Sequence, residues 1–129
     1  MHLFRAAVEA RDIDAAVALL SDDVVLHSPV GFTPYNGRAA VAPILRAVSQ
    51  VFEDFHYVRE IGGEASADSV LVFRARVRNL QIEGCDIIHV DAQGSIDELT
   101  VMVRPLKAAL VLAEKMSALV AGAAHGPRI

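Results

Sequence analysis

The sequence has no tryptophan and a single cysteine, Cys85, and aromatic residues make up 5% of it. One cysteine excludes an intrachain disulfide and fits a reducing compartment, so any stable fold has to rest on its core. Long uninterrupted apolar runs are missing as well. The most apolar stretch, "PLKAALVLAEKMSALVAGAA", is broken by Lys107, Glu114 and Lys115, too often for a bilayer span. The opening residues, "MHLFRAAVEARDID", carry charges where a signal peptide carries an apolar stretch. Positive charge is in short supply: 12 Lys and Arg against 16 Asp and Glu leave a net charge of −4. That balance offers no electrostatic footprint for nucleic acid or an anionic membrane. Metal-ligand spacing is lacking too, because His2, His27, His56, His89 and His125 are scattered. Neither a metal nor another cofactor is expected.

What is present suits one folded domain over residues 1–129. The chain is 53% hydrophobic and 22% charged, a globular balance, and its length allows one core. A cytoplasmic protein is the expectation.

Along the chain the hydrophobic period changes once. Met1 to Ala10 reads as a short helix with Leu3, Phe4, Ala7 and Val8 on one face. Asp12 or Asp14 caps a second helix that runs through Leu20. "DDVVLHS" is a short strand ended by Pro29, and "VGFTPYNG" is a loop. A helix over Arg38 to Val51 then carries Val41, Ile44, Leu45 and Val48 at helical spacing. The second half reads as strands: "FEDFHYVREI", "SVLVFRARVRN", "GCDIIHVD" and "SIDELTVMVRP". Turns are expected at Gly62-Gly63, between Leu80 and Gly84, and at Ala92-Gln93-Gly94. In the second strand Leu71, Phe73, Ala75 and Val77 share one face and Arg74, Arg76 and Arg78 the other. A final helix presents a stripe of Leu106, Leu110, Ala113, Met116 and Val120, with Val111, Leu112 and Leu119 off it. Helices first, then a strand meander, then a helix gives an α+β class with helices on one face of an antiparallel sheet.

This order, together with "SDDVVLHSPVG" ahead of Asn36-Gly37, resembles the nuclear transport factor 2-like superfamily. Within it the SnoaL-like and ketosteroid isomerase-like proteins are the nearest match, over nearly all of the chain but its last helix. The resemblance implies a cone-shaped α+β barrel: N-terminal helices on a curved antiparallel sheet, around an apolar cavity, in a homodimer. In the isomerases an aspartate before the Pro-Val-Gly moves the proton, and Ser28 stands there in this chain. The two donors to the developing oxyanion, a tyrosine and a protonated aspartate, fall on Phe4 and Ile88. Phe and Ile cannot donate, and a serine hydroxyl has no proton affinity near neutral pH. Isomerase chemistry by those residues is therefore not expected.

A different carboxylate qualifies. By strand alternation Asp86, Ile88 and Val90 share a face, which the resemblance places inside the cone with Leu71, Phe73, Leu99, Val101 and Val103. Burial there raises a carboxyl pKa toward the range a general acid or base needs. Asp86 is the candidate catalytic residue, and Phe4, Ser28, Tyr57, Phe73, Ile88 and Val101 are the candidate ligand-binding residues. The competing role for Asp86 is structural, bonded to Ser28, Tyr57 or an amide near Gly84. Tyr35, in the loop at the cone mouth, is a second phenol donor, and His27 and His89 alternate onto the outer face. The arginine row is expected to pair with Glu98 and Glu83 across the strands. Two functions fit: acid–base catalysis on a small apolar molecule (isomerase, cyclase or hydrolase type), or ligand binding or dimerisation without chemistry.

Overall fold

The computed structural model describes residues 1–63 and 65–121 of the chain, with the side chains of Val120 and Ala121 left aside. His125 and the Val120 side chain, both noted above, lie outside the described part. Among the described residues no helix is long and apolar enough to cross a membrane.

Two short helices open the fold. Helix α1 (Leu3–Glu9) starts where the His2 ring accepts from the Phe4 amide at 3.1 Å. Helix α2 (Ile13–Ala18) is capped by Asp12, whose carboxylate accepts from the Ala15 amide at 3.0 Å. Leu20, expected at the end of that helix, instead begins strand β1 (Leu20–His27), and its side chain is buried there. The segment after Pro29, expected as loop, holds a two-residue strand, β2 (Tyr35–Asn36), paired with Val25 and Leu26. Helix α3 (Arg38–Val51) follows, with Gly37 at its N-cap at φ 90°, a backbone state that favours glycine.

The remaining strands are β3 (Glu53–Ile61), β4 (Asp68–Val77), β5 (Leu80–Val90) and β6 (Ile96–Arg104). They form one open, curved six-stranded sheet in the order β2-β1-β6-β5-β4-β3. Every neighbouring pair is antiparallel except β1 and β6, which run parallel with Leu26 opposite Leu99. Register shifts near Asp54 and Val58 in β3, and between His89 and Val90 in β5, bend the strands. Helix α4 (Leu106–Ala121) packs against α3 and the inner face of the sheet.

Three expectations need correction. The turn expected between Leu80 and Gly84 lies at Arg78-Asn79, and Leu80 to Gly84 is paired strand. Gly84 looked like a breaker, but it marks a close approach. A Cβ there would stand 2.6 Å from the Met102 carbonyl oxygen and inside the Phe73 ring envelope. In α4 the buried stripe is Ala108, Leu112 and Met116, whereas Leu106 and Leu110 are 75% and 61% exposed. A helix apolar on several sides does not reveal by period which side is covered. Finally, Glu83 pairs with Arg74 and Arg104, while Glu98 pairs with His27. Arg76 and Arg78 reach Asp54 and Glu114 instead.

The core falls in two joined clusters on the concave side. One holds Phe4, Leu26, Leu71, Phe73, Ile88 and Leu99; the other holds Val51, Ala75, Val77, Ile82, Leu112 and Met116. The alternation read from "LVFRARVRN" holds: Leu71, Phe73, Ala75 and Val77 are buried and the arginines face outward.

Candidate functional site

Between the four helices and the inner face of the sheet lies a cavity of about 650 Å³. That is the size range of pockets for small organic ligands. Its sheet side is built by period-two alternation: Tyr57 from β3, Phe73 from β4, Asp86 from β5, Leu99 and Val101 from β6. Phe4 and Val8 of α1, Ile44 and Val48 of α3, and Leu112 and Met116 of α4 supply the helical side. Phe52, Phe55, Tyr57 and Phe73 form a continuous aromatic wall. Phe55 stacks on Phe73 at 4.8 Å between centroids and meets Tyr57 edge-on at 5.0 Å.

Asp86 is the carboxyl group on that floor. It is buried, and the Tyr57 hydroxyl donates to its Oδ2 at 2.8 Å. Removal from water raises the Asp86 pKa to about 7, and the Tyr57 bond acts against that rise by stabilising the charged form. The phenol is pushed far upward in turn, by burial and then by the adjacent carboxylate, so it stays protonated and donates. Such an arrangement can take up and return a proton near neutral pH. Of the three partners considered for Asp86, the structure selects Tyr57.

The other sequence candidates divide. Phe4, Ser28, Tyr57, Phe73 and Val101 line the cavity with Asp86. Ser28 is half-buried just beyond β1, and its Oγ accepts from the Val30 amide at 3.2 Å. Ile88 does not line the cavity. It is fully buried in the cluster with Phe4, Ala7 and Ile96, so its side chain meets core. Tyr35 is buried within β2 and lines the cavity, inside rather than at an open mouth. His27 and His89 face outward, paired with Glu98 at 2.9 Å and Asp97 at 2.6 Å. The Asp97 hydrogen bond, with the nearby charges of Asp97, Asp68 and Glu98, holds the His89 pKa above its usual value against desolvation.

Sequence reasoning missed the rim. Glu9, Arg11, Ser49 and Ser117 each line the cavity while exposed to solvent. None belongs to an apolar stripe, so hydrophobic period could not find them. The aromatic wall did have a signal: Phe52, Phe55 and Tyr57 sit in one run, "FEDFHY".

An α+β cone of N-terminal helices packed on a curved, open sheet is the fold of nuclear transport factor 2-like proteins. More narrowly, the chain belongs to the SnoaL-like domain family, whose model matches residues 2–99. It is similar to a steroid delta-isomerase from Pseudomonas aeruginosa, with 36% identity and a TM-score of 0.85 over 92% of this chain and 86% of that one. An uncharacterised bacterial protein with a cystatin-like fold from Silicibacter pomeroyi shares 33% identity, TM-score 0.86, over 92% of this chain and 83% of that one. A Mycobacterium tuberculosis protein crystallised in complex with estradiol-17beta-hemisuccinate shares the fold, at 17% identity and TM-score 0.62, over 82% of this chain and 91% of that one.

Proposed function

We propose that this protein is an acid–base catalyst acting on a small apolar, cyclic molecule, with Asp86 as the proton carrier. The observation that carries this reading is a buried carboxyl whose pKa lies near 7, facing a cavity of about 650 Å³. Asp86 accepts a proton from carbon next to a carbonyl and returns it elsewhere on the substrate, as isomerisation or ring closure requires. Tyr57 holds the carboxyl in place, and Ser28 offers a hydroxyl for the substrate oxygen. The relationship to a steroid delta-isomerase at 36% identity supports an apolar cyclic substrate. The chemistry differs from the ketosteroid isomerases in its residues, with Ser28, Phe4 and Ile88 at the places of their base and donors. A homodimer through the outer sheet face belongs to the same reading. Met102 is 54% exposed there beside half-buried Cys85, Ile87 and Thr100.

The test is deuterium incorporation into β-tetralone, an apolar ketone with acidic C–H bonds, followed by NMR in deuterium oxide. The protein should accelerate exchange over buffer and Asp86→Asn should abolish the acceleration, since an amide cannot accept and return a proton at neutral pH. Bound β-tetralone without faster exchange would leave ligand binding as the function.

A further inference from the structure

Among the described residues three charged side chains line the cavity: Glu9, Arg11 and Asp86. Glu9 is already engaged, with Arg5 Nε 3.2 Å from its Oε1. Asp86 is at the floor, bonded by Tyr57. The Arg11 guanidinium has no hydrogen-bond or ion-pair partner among the described residues, and it stands on the exposed rim. Its backbone is in the left-handed region at φ 59°, between α1 and α2, where glycine or asparagine is the usual residue. Two other non-glycine residues share that state, Asp54 and Arg78, and both are ion-paired, to Arg76 and Glu114. Among the described residues Arg11 is the one of the three without a charged partner, and it is one of the residues that line the cavity.

We infer that Arg11 makes the cavity selective for amphipathic anions: a small apolar body inside, and a carboxylate- or sulfonate-type group held at the rim. This rests on the reading of the cavity as a ligand site. A guanidinium is a planar fork of donors that grips two oxygens of such a group. The floor carries the opposite preference. An anionic group directed inward has to leave water beside a buried carboxyl, which repels it wherever that carboxyl is ionised. The cation at the rim and the buried floor therefore set the direction of entry: apolar end first, anionic end last. Arg5 is shared between Glu9, at 3.2 Å, and Glu60, at 3.4 Å, so it offsets only part of the Glu9 charge that opposes this bias.

Two fluorescent probes with the same apolar rings separate the charge from the cavity: anilinonaphthalene sulfonate, and N-phenylnaphthylamine, which lacks the sulfonate. The wild-type protein should bind both, the sulfonate more tightly, with the difference fading in about 0.5 M salt. Arg11→Gln should weaken the sulfonate roughly two- to fivefold, as for a partly exposed ion pair, and leave the neutral probe unchanged. Arg11→Gly should show the same loss with an equal or higher melting midpoint, because glycine relieves the backbone. A folded Val101→Trp variant, which fills the cavity, should bind neither probe. Equal effects of Arg11→Gln on both probes, or on neither, overturn the inference while leaving the cavity reading intact. Sulfonate binding that survives in Val101→Trp overturns it too. If the wild type binds neither probe, the cavity reading falls and takes this inference with it.

Discussion

The Tyr57 hydroxyl and the Asp86 carboxylate meet at 2.8 Å across the whole width of β4, which lies between their strands. Phe73 of β4 is opposite both Tyr57 and Gly84, and Leu71 is opposite Asp86. Phe73 can lie flat there because Gly84 has no side chain in its way. One glycine thus shapes the aromatic wall beside which the carboxyl and the phenol pair.

The Asp86 pKa makes stability depend on pH. Its folded value, about 7, is above the ordinary 3.8. The folded state then binds the proton more tightly than the unfolded chain does, so this contribution is fully present below about pH 4. It is lost as pH rises toward 7, by an amount on the order of 4 kcal/mol. Urea melts from pH 4 to 8 should show this fall, and Asp86→Asn should flatten it. A wild-type profile that rises across that window would contradict the burial argument.

Tyr57→Phe removes the one bond that holds the carboxyl pKa down. The pKa of Asp86 should move further up, and the pH at which exchange of β-tetralone reaches half its maximum should move with it, to the alkaline side. Carbon-13 NMR of the Asp86 carboxyl reads the same shift directly. An unchanged titration in Tyr57→Phe would mean that the phenol is not its partner in solution.

Gly84→Ala should cost about 1–3 kcal/mol, the range for overpacking a filled core. The added methyl meets the Met102 carbonyl, which cannot rotate away, and the Phe73 ring. Circular dichroism in a denaturant series measures the loss, and near-ultraviolet signals from the aromatic wall should change with it. A neutral substitution would show that the close approach is relieved in solution.

Light scattering at micromolar concentration should give about twice the chain mass of 13.8 kDa. Met102→Glu places a charge at the middle of the outer sheet face and should shift the population to monomer without unfolding it. A wild-type monomer would remove the dimer from the proposal.

Local pattern revealed what local physics controls. The alternation from Leu71 to Val77 predicts its burial residue by residue, and the same period carries Asp86 to the inner face. The parallel pairing of β1 with β6 leaves no local mark, because it depends on residues distant in the chain. Gly84 misled for a related reason: a strand glycine that admits a neighbouring ring reads like a strand glycine that breaks. On α4 the apolar residues outnumber the covered ones, so the stripe was set on Leu106, which the structure leaves exposed, while Leu112, read as off it, is buried. Ile88 shows the limit for the site itself, since inward-facing is not the same as cavity-facing.

The β1–β6 pairing also sets a timetable for synthesis. His27 and Glu98 are bonded although 71 residues separate them, and the first strand has no other long neighbour in the sheet. While the ribosome is still making β4, β1 exists as an emerged segment with an unfilled edge. The cavity floor is missing Val101, and α4 with Met116 has yet to be made. Long-range pairings of this kind slow folding, because the chain must close a large loop before any contact rewards it. The pocket therefore comes into being only once β6 and α4 have been made, and a nascent chain stalled before β6 would carry Tyr57 and Phe73 with nothing to enclose.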